Sequence, residues 1–338
     1  MEDVVVHYKR LKKLVADKFQ KVDVSLFDAE TIADVLVHAD LRGVSSHGVL
    51  RTERYISHIL NKGINYNPDI KVKETGATSI QVDGDNGMGQ ISLKKGVEEA
   101  INIARDKGIA IAGVTNSEHC GALSYFVELA AENDVIGLAM TNANKLVVPF
   151  GGIDPFFGTN PMAFGFPAEE NFPIILDMAT SQVAYGKILN ARERNETIPK
   201  NWGLDDKGQP TDDPESVRAL QSIAGPKGYG LALAVDVLSG ILTNSPFGLQ
   251  IPPFQDFEKP RGLGHFFIAI NPDIFTSKSV FKNNVDKLIE ELHQQRTVEG
   301  VDKVLIPGEP EQSMKNKRLT KGIPIPKSIY DYLISDKI

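Results

Sequence analysis

The run Ile109-Ala-Ile-Ala-Gly-Val-Thr-Asn-Ser-Glu-His-Cys-Gly-Ala-Leu-Ser-Tyr-Phe-Val-Glu-Leu-Ala-Ala-Glu-Asn-Asp-Val-Ile-Gly-Leu-Ala-Met-Thr141 decides the fold class. Residues 109–115 form a short apolar run of the kind that fills a buried strand. Residues 121–133 return to helical spacing, and 135–141 are again apolar and strand-like. Strand, helix and strand in succession specify an α/β core.

Working outward, the same alternation continues. Residues 79–83 read as a strand, and 90–107 as an amphipathic helix with Val97, Ala100, Ile101 and Ala104 on one face. Downstream, 162–166 and 173–177 read as strands and 182–194 as a helix. Residues 196–226 are polar and rich in turn formers, which predicts a long surface excursion anchored by Trp202. The strongly apolar stretch 229–242 predicts a buried helix, 265–270 a strand and 280–295 a charged amphipathic helix. Prolines recur from 299 to 326, before a short helix over 328–335.

Upstream the chain is helical. Ser25-Leu-Phe-Asp28 resembles a capping box ahead of a helix over 29–41, with Gly43 as its C-terminal cap. A second helix is expected from about 49 to 61, stopped by Gly63. The division expected is a helical segment over 1–75, an α/β core over 76–298 and a proline-rich closing segment over 299–338. No repeat or low-complexity linker separates them, which predicts one compact, interleaved unit.

Composition excludes several classes. The 338 residues carry 37 Lys and Arg against 44 Asp and Glu, a formal charge of −7, with 41% apolar and 24% charged residues. That is ordinary globular composition, and an acidic chain without a basic run is a poor nucleic-acid binder. No apolar stretch approaches the ~20 residues a membrane span needs. The opening Met1-Glu-Asp-Val-Val-Val-His-Tyr-Lys9 places acids before a short apolar run, unlike a signal peptide. The lone Cys120 supports neither an internal disulfide nor a cysteine-built zinc site, so a reducing cytoplasm is the expected compartment.

Two constellations could carry chemistry. His47, Arg51 and Tyr55 recur at i, i+4 and i+8, which on one helix face offers a two-pronged cation and two hydrogen-bonding groups. A solvated face whose arginine pairs with an acid is the alternative. His119 lies between a strand and a helix, where α/β proteins place active sites. Positive potential at a helix start keeps an imidazole neutral and fit for proton transfer; a histidine that merely caps the helix is the alternative. Cys120 beside it reads as small-residue packing. The glycine clusters contain neither a G-x-G-x-x-G fingerprint nor a Walker A loop. Gly225-Pro-Lys-Gly-Tyr-Gly230 opens an apolar helix, and Lys227 at its entrance could meet a phosphate or simply close a turn. No zinc-protease or G-x-S-x-G hydrolase motif occurs.

Six segments in order give a resemblance: Leu41-Arg-Gly-Val-Ser-Ser-His-Gly48, Asn116-Ser-Glu-His-Cys-Gly-Ala122, Pro149-Phe-Gly-Gly152, Gly158-Thr-Asn-Pro161, Leu176-Asp-Met-Ala-Thr180 and Gly225-Pro-Lys-Gly-Tyr-Gly230. Together they resemble the type-2 malate/L-lactate dehydrogenase family, NAD(P)-dependent enzymes of 2-hydroxy and 2-imino acids. Ser124-Tyr-Phe-Val127, Val147-Val-Pro-Phe-Gly-Gly152, Gly186-Lys-Ile-Leu-Asn-Ala-Arg192, Asp236-Val-Leu-Ser-Gly240 and Ile329-Tyr-Asp-Tyr-Leu-Ile-Ser-Asp336 are most similar to the members that oxidise (S)-ureidoglycolate to oxalurate in allantoin breakdown.

The resemblance implies a non-Rossmann, mixed-sheet α/β fold with N-terminal helices, and a homodimer with active sites near the subunit contact. It implies His119 as acid/base, Ser46, His47, Arg51 and Tyr55 on the substrate side, and Asp177, Met178, Ala179 and Lys227 on the cofactor side. A cofactor-binding serine of the family stands here as Ala143, so that contact falls to its backbone or to Asn144 or Lys145. The region Gly262–His265 is implied to line the site. NAD rather than NADP is expected, since no arginine-rich loop marks the nucleotide segments, and no metal is required. Asn116, Asn142, Asn144 and Tyr55 are the expected partners of a ureido group. Malate, lactate, sulfolactate and piperideine-2-carboxylate are the alternative substrates.

Overall fold

The computed structural model describes residues 3–338. Met1 and Glu2, the start of the stretch read against a signal peptide, lie outside the described residues. A short strand β1 (Asp3–Val6) leads into three helices, α1 (Tyr8–Gln20), α2 (Leu26–Leu41) and α3 (Thr52–Leu60). Ser25 caps α2: its Oγ accepts from the Asp28 N–H at 3.1 Å and donates to the Asp28 carboxylate at 2.8 Å.

The central sheet comprises β2 (Lys71–Gly76), β3 (Ser79–Asp83), β4 (Ile109–Ser117), β5 (Ile136–Thr141), β6 (Met162–Phe166) and β7 (Ile174–Met178). Between them run α4 (Gly89–Lys107) and α5 (Ser124–Glu132). After β7 come α6 (Tyr185–Arg194) and three two-residue strands, β8 (Gly203–Leu204), β9 (Pro210–Thr211) and β10 (Ala219–Leu220). The chain continues with α7 (Pro226–Asp236), β11 (Leu263–Ile270), α8 (Lys278–His293), α9 (Glu309–Lys321), β12 (Ile323–Pro326) and α10 (Lys327–Ile334).

Strand order in the seven-stranded sheet is β2-β3-β4-β11-β5-β6-β7. Only β3 and β4 pair in parallel; every other neighbouring pair is antiparallel. This mixed sheet differs from the all-parallel, doubly wound sheet of a Rossmann domain, as the missing fingerprint implied. Because β11 runs antiparallel to both β4 and β5, those two strands point the same way. Their last residues, Ser117 and Thr141, therefore emerge at the edge where β11 begins.

Burial explains why these segments adopt this arrangement. Ala110, Ala112 and Val114 of β4 pack with Val97, Ala100 and Ala104 of α4 and with Phe126, Val127 and Ala130 of α5. Small residues on β4 let both helices lie close to the sheet. A second core joins the chain ends: β1 pairs with β12, and Ile323, Ile325, Tyr332 and Leu333 pack among Leu11, Phe19, Ile32 and Leu36.

Three expectations are corrected. The apolar stretch 229–242 is not a buried helix: α7 ends at Asp236, a π turn follows over Val237–Ile241, and Leu231, Leu233, Val237, Ile241 and Leu242 are exposed. Composition alone cannot tell a core helix from one with an uncovered apolar face. The polar excursion 196–226 holds a small sheet, β10-β8-β9, with Ile198, Val217 and Leu220 packed on Val147, Phe157 and Ile188. Trp202 packs against that core. The proline-rich segment contains α9, where Pro310 occupies the first turn, a position that needs no N–H donor. Among the described residues no helix is long and apolar enough to cross a membrane.

Candidate active site

The loop after β4 carries Glu118, His119 and Cys120. Gly89, at the start of α4, lies against it so closely that a Cβ there would collide with the Glu118 carbonyl. Glu118 is buried; its Oε1 accepts from the His119 N–H at 3.0 Å and pairs with the buried Arg261 guanidinium. The backbone of His119 is thereby fixed from both sides.

The His119 ring sits in a cluster of groups. Its Nδ1 lies 2.6 Å from Tyr55 Oη and accepts from the Gly121 N–H at 3.2 Å. The His47 ring stacks on it at 5.4 Å with planes 25° apart, and Phe254 lies 6.4 Å away. Burial drives the His119 pKa well below the usual imidazole value, and His47 and Arg51 push it further down. Burial and Arg51 hold His47 at about 4, and burial raises Tyr55 to about 12. At neutral pH both rings are uncharged and Tyr55 keeps its proton.

The expected helical ladder forms by another route. Ser45–His47 and Val49–Arg51 are two 3₁₀ turns broken at Gly48, and α3 begins only at Thr52. The cause is Asp40, whose carboxylate packs on Gly48 and accepts from the Val49 N–H at 2.8 Å. His47 and Tyr55 still converge on His119. Arg51 Nε donates to Ser46 O at 2.6 Å, leaving its terminal nitrogens for a ligand, and Ser46 Oγ lies 3.0 Å from His47 Nδ1. Tyr55 is 1% exposed with its hydroxyl against His119, so it bears on the site through that ring.

Several residues at the site were not read from the sequence. Three guanidiniums surround Phe254, with their central carbons 5.2 Å (Arg51), 3.5 Å (Arg54) and 4.7 Å (Arg261) from the ring centroid. Arg54 also donates to Phe254 O. Gln90, at the start of α4, is fully buried, and neither amide atom has a hydrogen-bond partner. Periodicity singled out one face of the 47–55 segment and passed over Arg54. Phe254 and Arg261 come from a loop far away in sequence.

The residues expected on the cofactor side lie elsewhere, tied to the start of α5 and to α7. The Ala143 N–H donates to Asn160 Oδ1 at 3.2 Å, and Asn160 Nδ2 donates to Ala232 O of α7 at 2.9 Å. Asn144 beside it is half-buried. Asp177 Oδ2 accepts from the Ser124 N–H at 2.7 Å and caps α5. Met178 and Ala179 are half-buried and lead to Thr180, whose carbonyl accepts from the Ile223 N–H at 2.9 Å, just before α7. Lys227 is exposed on the first turn of α7. No hydrogen bond or ion pair among the described residues joins it to the His119 cluster.

Two of the residues expected around a ureido group are engaged by the protein itself. Asn142 spends its amide on the protein, donating to Pro246 O at 2.8 Å and accepting from the Gly264 N–H at 3.1 Å. Asn116 donates to Asp83 at 3.0 Å and is exposed. Both amides are thus already engaged by the protein, Asn142 at both ends and Asn116 through one donor, and the other two of the four are Asn144 and Tyr55. His265 does not line the site: it is fully buried within the sheet.

The buried histidines predict an acid-labile fold. His38 and His265 are held at about 3 and His47 at about 4, with His119 also depressed, while the unfolded chain protonates near ~6.5. Below that pH the unfolded state binds more protons, so stability is lost as pH falls from about 6.5 toward 4. Asp40, raised to about 7 by burial, acts oppositely, its contribution fading as pH rises to 7. His58 is depressed as well, and burial also raises Asp177, Asp236 and Glu132; the five histidines outnumber these four carboxyls, so melting at pH 5 is expected below that at pH 7. Equal melting temperatures at the two pH values would contradict this balance.

The malate/L-lactate dehydrogenase family model matches residues 6–334. Ureidoglycolate dehydrogenase (NAD(+)) of Escherichia coli K12 is 41% identical over 329 residues, covering 97% of this chain and 94% of the relative. L-sulfolactate dehydrogenase of Methanocaldococcus jannaschii is 41% identical over 327 residues, covering 95% and 93%. The crystal structure of malate dehydrogenase from Entamoeba histolytica superposes with a TM-score of 0.93 at 30% identity, over 98% of this chain and 96% of that one.

Proposed function

The chain belongs to the malate/L-lactate dehydrogenase family, dehydrogenases acting on 2-hydroxy acids, and on that premise we propose that it oxidises (S)-ureidoglycolate to oxalurate with NAD, His119 serving as the acid/base. The observation that carries the chemistry is the neutral His119 ring, fixed through Nδ1 by Tyr55 and Gly121, beside the open fork of Arg51. The 41% identity to the E. coli ureidoglycolate enzyme supports the substrate.

The donor set fits a dinucleotide. The first-turn amides of α7 and the exposed Lys227 suit a pyrophosphate. Asp177, Met178, Ala179 and the braced Ala143–Asn144 backbone would flank it. Bound nicotinamide supplies the hydride acceptor. Arg51 would grip the substrate carboxylate in two prongs, and Ser46 and His47 would close the same side. His119 Nε2, the nitrogen that Tyr55 and Gly121 leave open, would take the hydroxyl proton. For Nε2 to take that proton the neutral ring carries its own on Nδ1, directed at Tyr55 Oη in place of the Gly121 contact; the imidazolium so formed would be the acid that returns the proton to a keto acid in the reverse direction. The exposed apolar residues of α7 and its π turn support a homodimer built on that face.

A second reading has its own observation. Three guanidiniums around Phe254, with Glu118 paired to only one of them, favour a substrate carrying a second negative charge, such as malate or L-sulfolactate. The proposed reaction is tested by mixing enzyme, (S)-ureidoglycolate and either NAD or NADP. NADH and oxalurate are expected, with NADP at least about tenfold poorer in kcat/KM for want of a cation on the 2′-phosphate. Equal use of both cofactors would contradict the NAD assignment.

A further inference from the structure

His265 stands on β11 between the ends of β4 and β5, with no exposed surface. Its Nδ1 lies 2.7 Å from Thr141 Oγ1 and its Nε2 lies 2.9 Å from Ser117 Oγ. Thr141 Oγ1 can donate to Asn142 O at 3.1 Å or Gly264 O at 3.2 Å, so it accepts from His265 Nδ1–H. Nε2 then accepts from the Ser117 hydroxyl, whose oxygen lies 2.7 Å from Ser92 Oγ on α4. The row Ser92, Ser117, His265, Thr141 is satisfied in one direction by a neutral ring protonated on Nδ1. Burial, which lowers this imidazole to about 3, keeps it neutral.

The bridge lies at an informative place. Ser117 is two residues before His119, and Thr141 is two before Ala143. The β4–β11 backbone ladder is irregular between Leu263 and His265, so the side chain ties the strand ends where backbone pairing slips. We propose that His265 is a positioning residue that sets the separation of the His119 loop from the Ala143–Asn144 segment by bridging Ser117 and Thr141. This role rests on the functional reading above, in which those segments carry the acid/base and flank the cofactor. Reaction geometry is steep in distance: a shift of about 1 Å costs roughly 10²-fold in rate.

The test has two arms. Ring ¹⁵N shifts of the wild-type enzyme, assigned by loss of signals in His265→Gln, are expected to show a neutral Nδ1–H tautomer unchanged between pH 5 and 8. An Nε2–H tautomer, or titration within that range, overturns the bridge. In kinetics, His265→Leu is expected to lower kcat roughly 10²-fold with both KM values within about threefold. His265→Gln should recover most of the loss, because its amide offers a donor to Thr141 and an acceptor to Ser117. If His265→Leu fails to fold, Thr141→Val cuts the same bridge from the far side, and the same loss in kcat is expected. Unchanged kcat in a folded variant, or a glutamine as impaired as the leucine, overturns the positioning role. A wild-type enzyme that turns over no 2-hydroxy acid refutes the functional reading instead, and the ring tautomer still decides the bridge.

Discussion

His119→Asn is expected to lower kcat by roughly 10²–10⁴-fold while leaving the protein folded and able to bind NADH. The asparagine amide can occupy the position of Nδ1, facing Tyr55 and the Gly121 N–H, so the loop keeps its anchors. Glu118 goes on holding the backbone of residue 119. What disappears is a group able to take a proton and give it back. The loss should fall on kcat, because the carboxylate grip of Arg51 is untouched. The check is steady-state kinetics alongside NADH fluorescence titration. A variant with near-normal kcat would transfer the role to His47, whose ring stacks 5.4 Å away.

Arg51→Lys is expected to cost roughly 10²-fold or more in kcat/KM although the charge is kept. Arginine does two things here at once. Its Nε ties the 3₁₀ segment by donating to Ser46 O at 2.6 Å, and its terminal nitrogens remain for the substrate. One ammonium cannot do both, nor can it match a carboxylate in two prongs. Arg51 also lies 5.2 Å from the Phe254 ring centroid, a cation–π contact that the shift to an ammonium would alter. Full kcat/KM in the lysine variant would reduce Arg51 to a brace of its own loop.

The legible part of the fold was the part governed by local periodicity. The strand over 162–166 coincides with β6, and the readings of 109–115 and 135–141 fall within a residue or two of β4 and β5. The N-cap at Ser25 was visible because capping is local chemistry. β1 and β12 were not visible, since each is four residues long and exists only by pairing with the other across the whole chain. α9 escaped because none of its residues is buried, so it carries no apolar stripe.

The candidate site divides in the same way. His47, Arg51 and Tyr55 stood out by their spacing, and His119 by its place between a strand and a helix. Their convergence depends on Asp40 bending the chain at Gly48, which no periodicity encodes. Arg261 reaches Glu118, and His265 reaches Ser117 and Thr141, through sheet order, with β11 inserted between β4 and β5. That insertion interrupts the otherwise sequential order of the strands. Spacing could not show that the amides of Asn142 and Asn116 are already engaged, one by the Pro246 carbonyl and the other by the Asp83 carboxylate.

The assignment of substrate is tested most directly by kcat/KM with NAD for (S)-ureidoglycolate, malate, L-sulfolactate and lactate, measured side by side as NADH formation. The result expected is ureidoglycolate foremost, with lactate far behind because it strands the polar groups that hold the larger acid. Malate or L-sulfolactate turned over as efficiently as ureidoglycolate would contradict it, and would give the site to the doubly charged acids that its three guanidiniums favour.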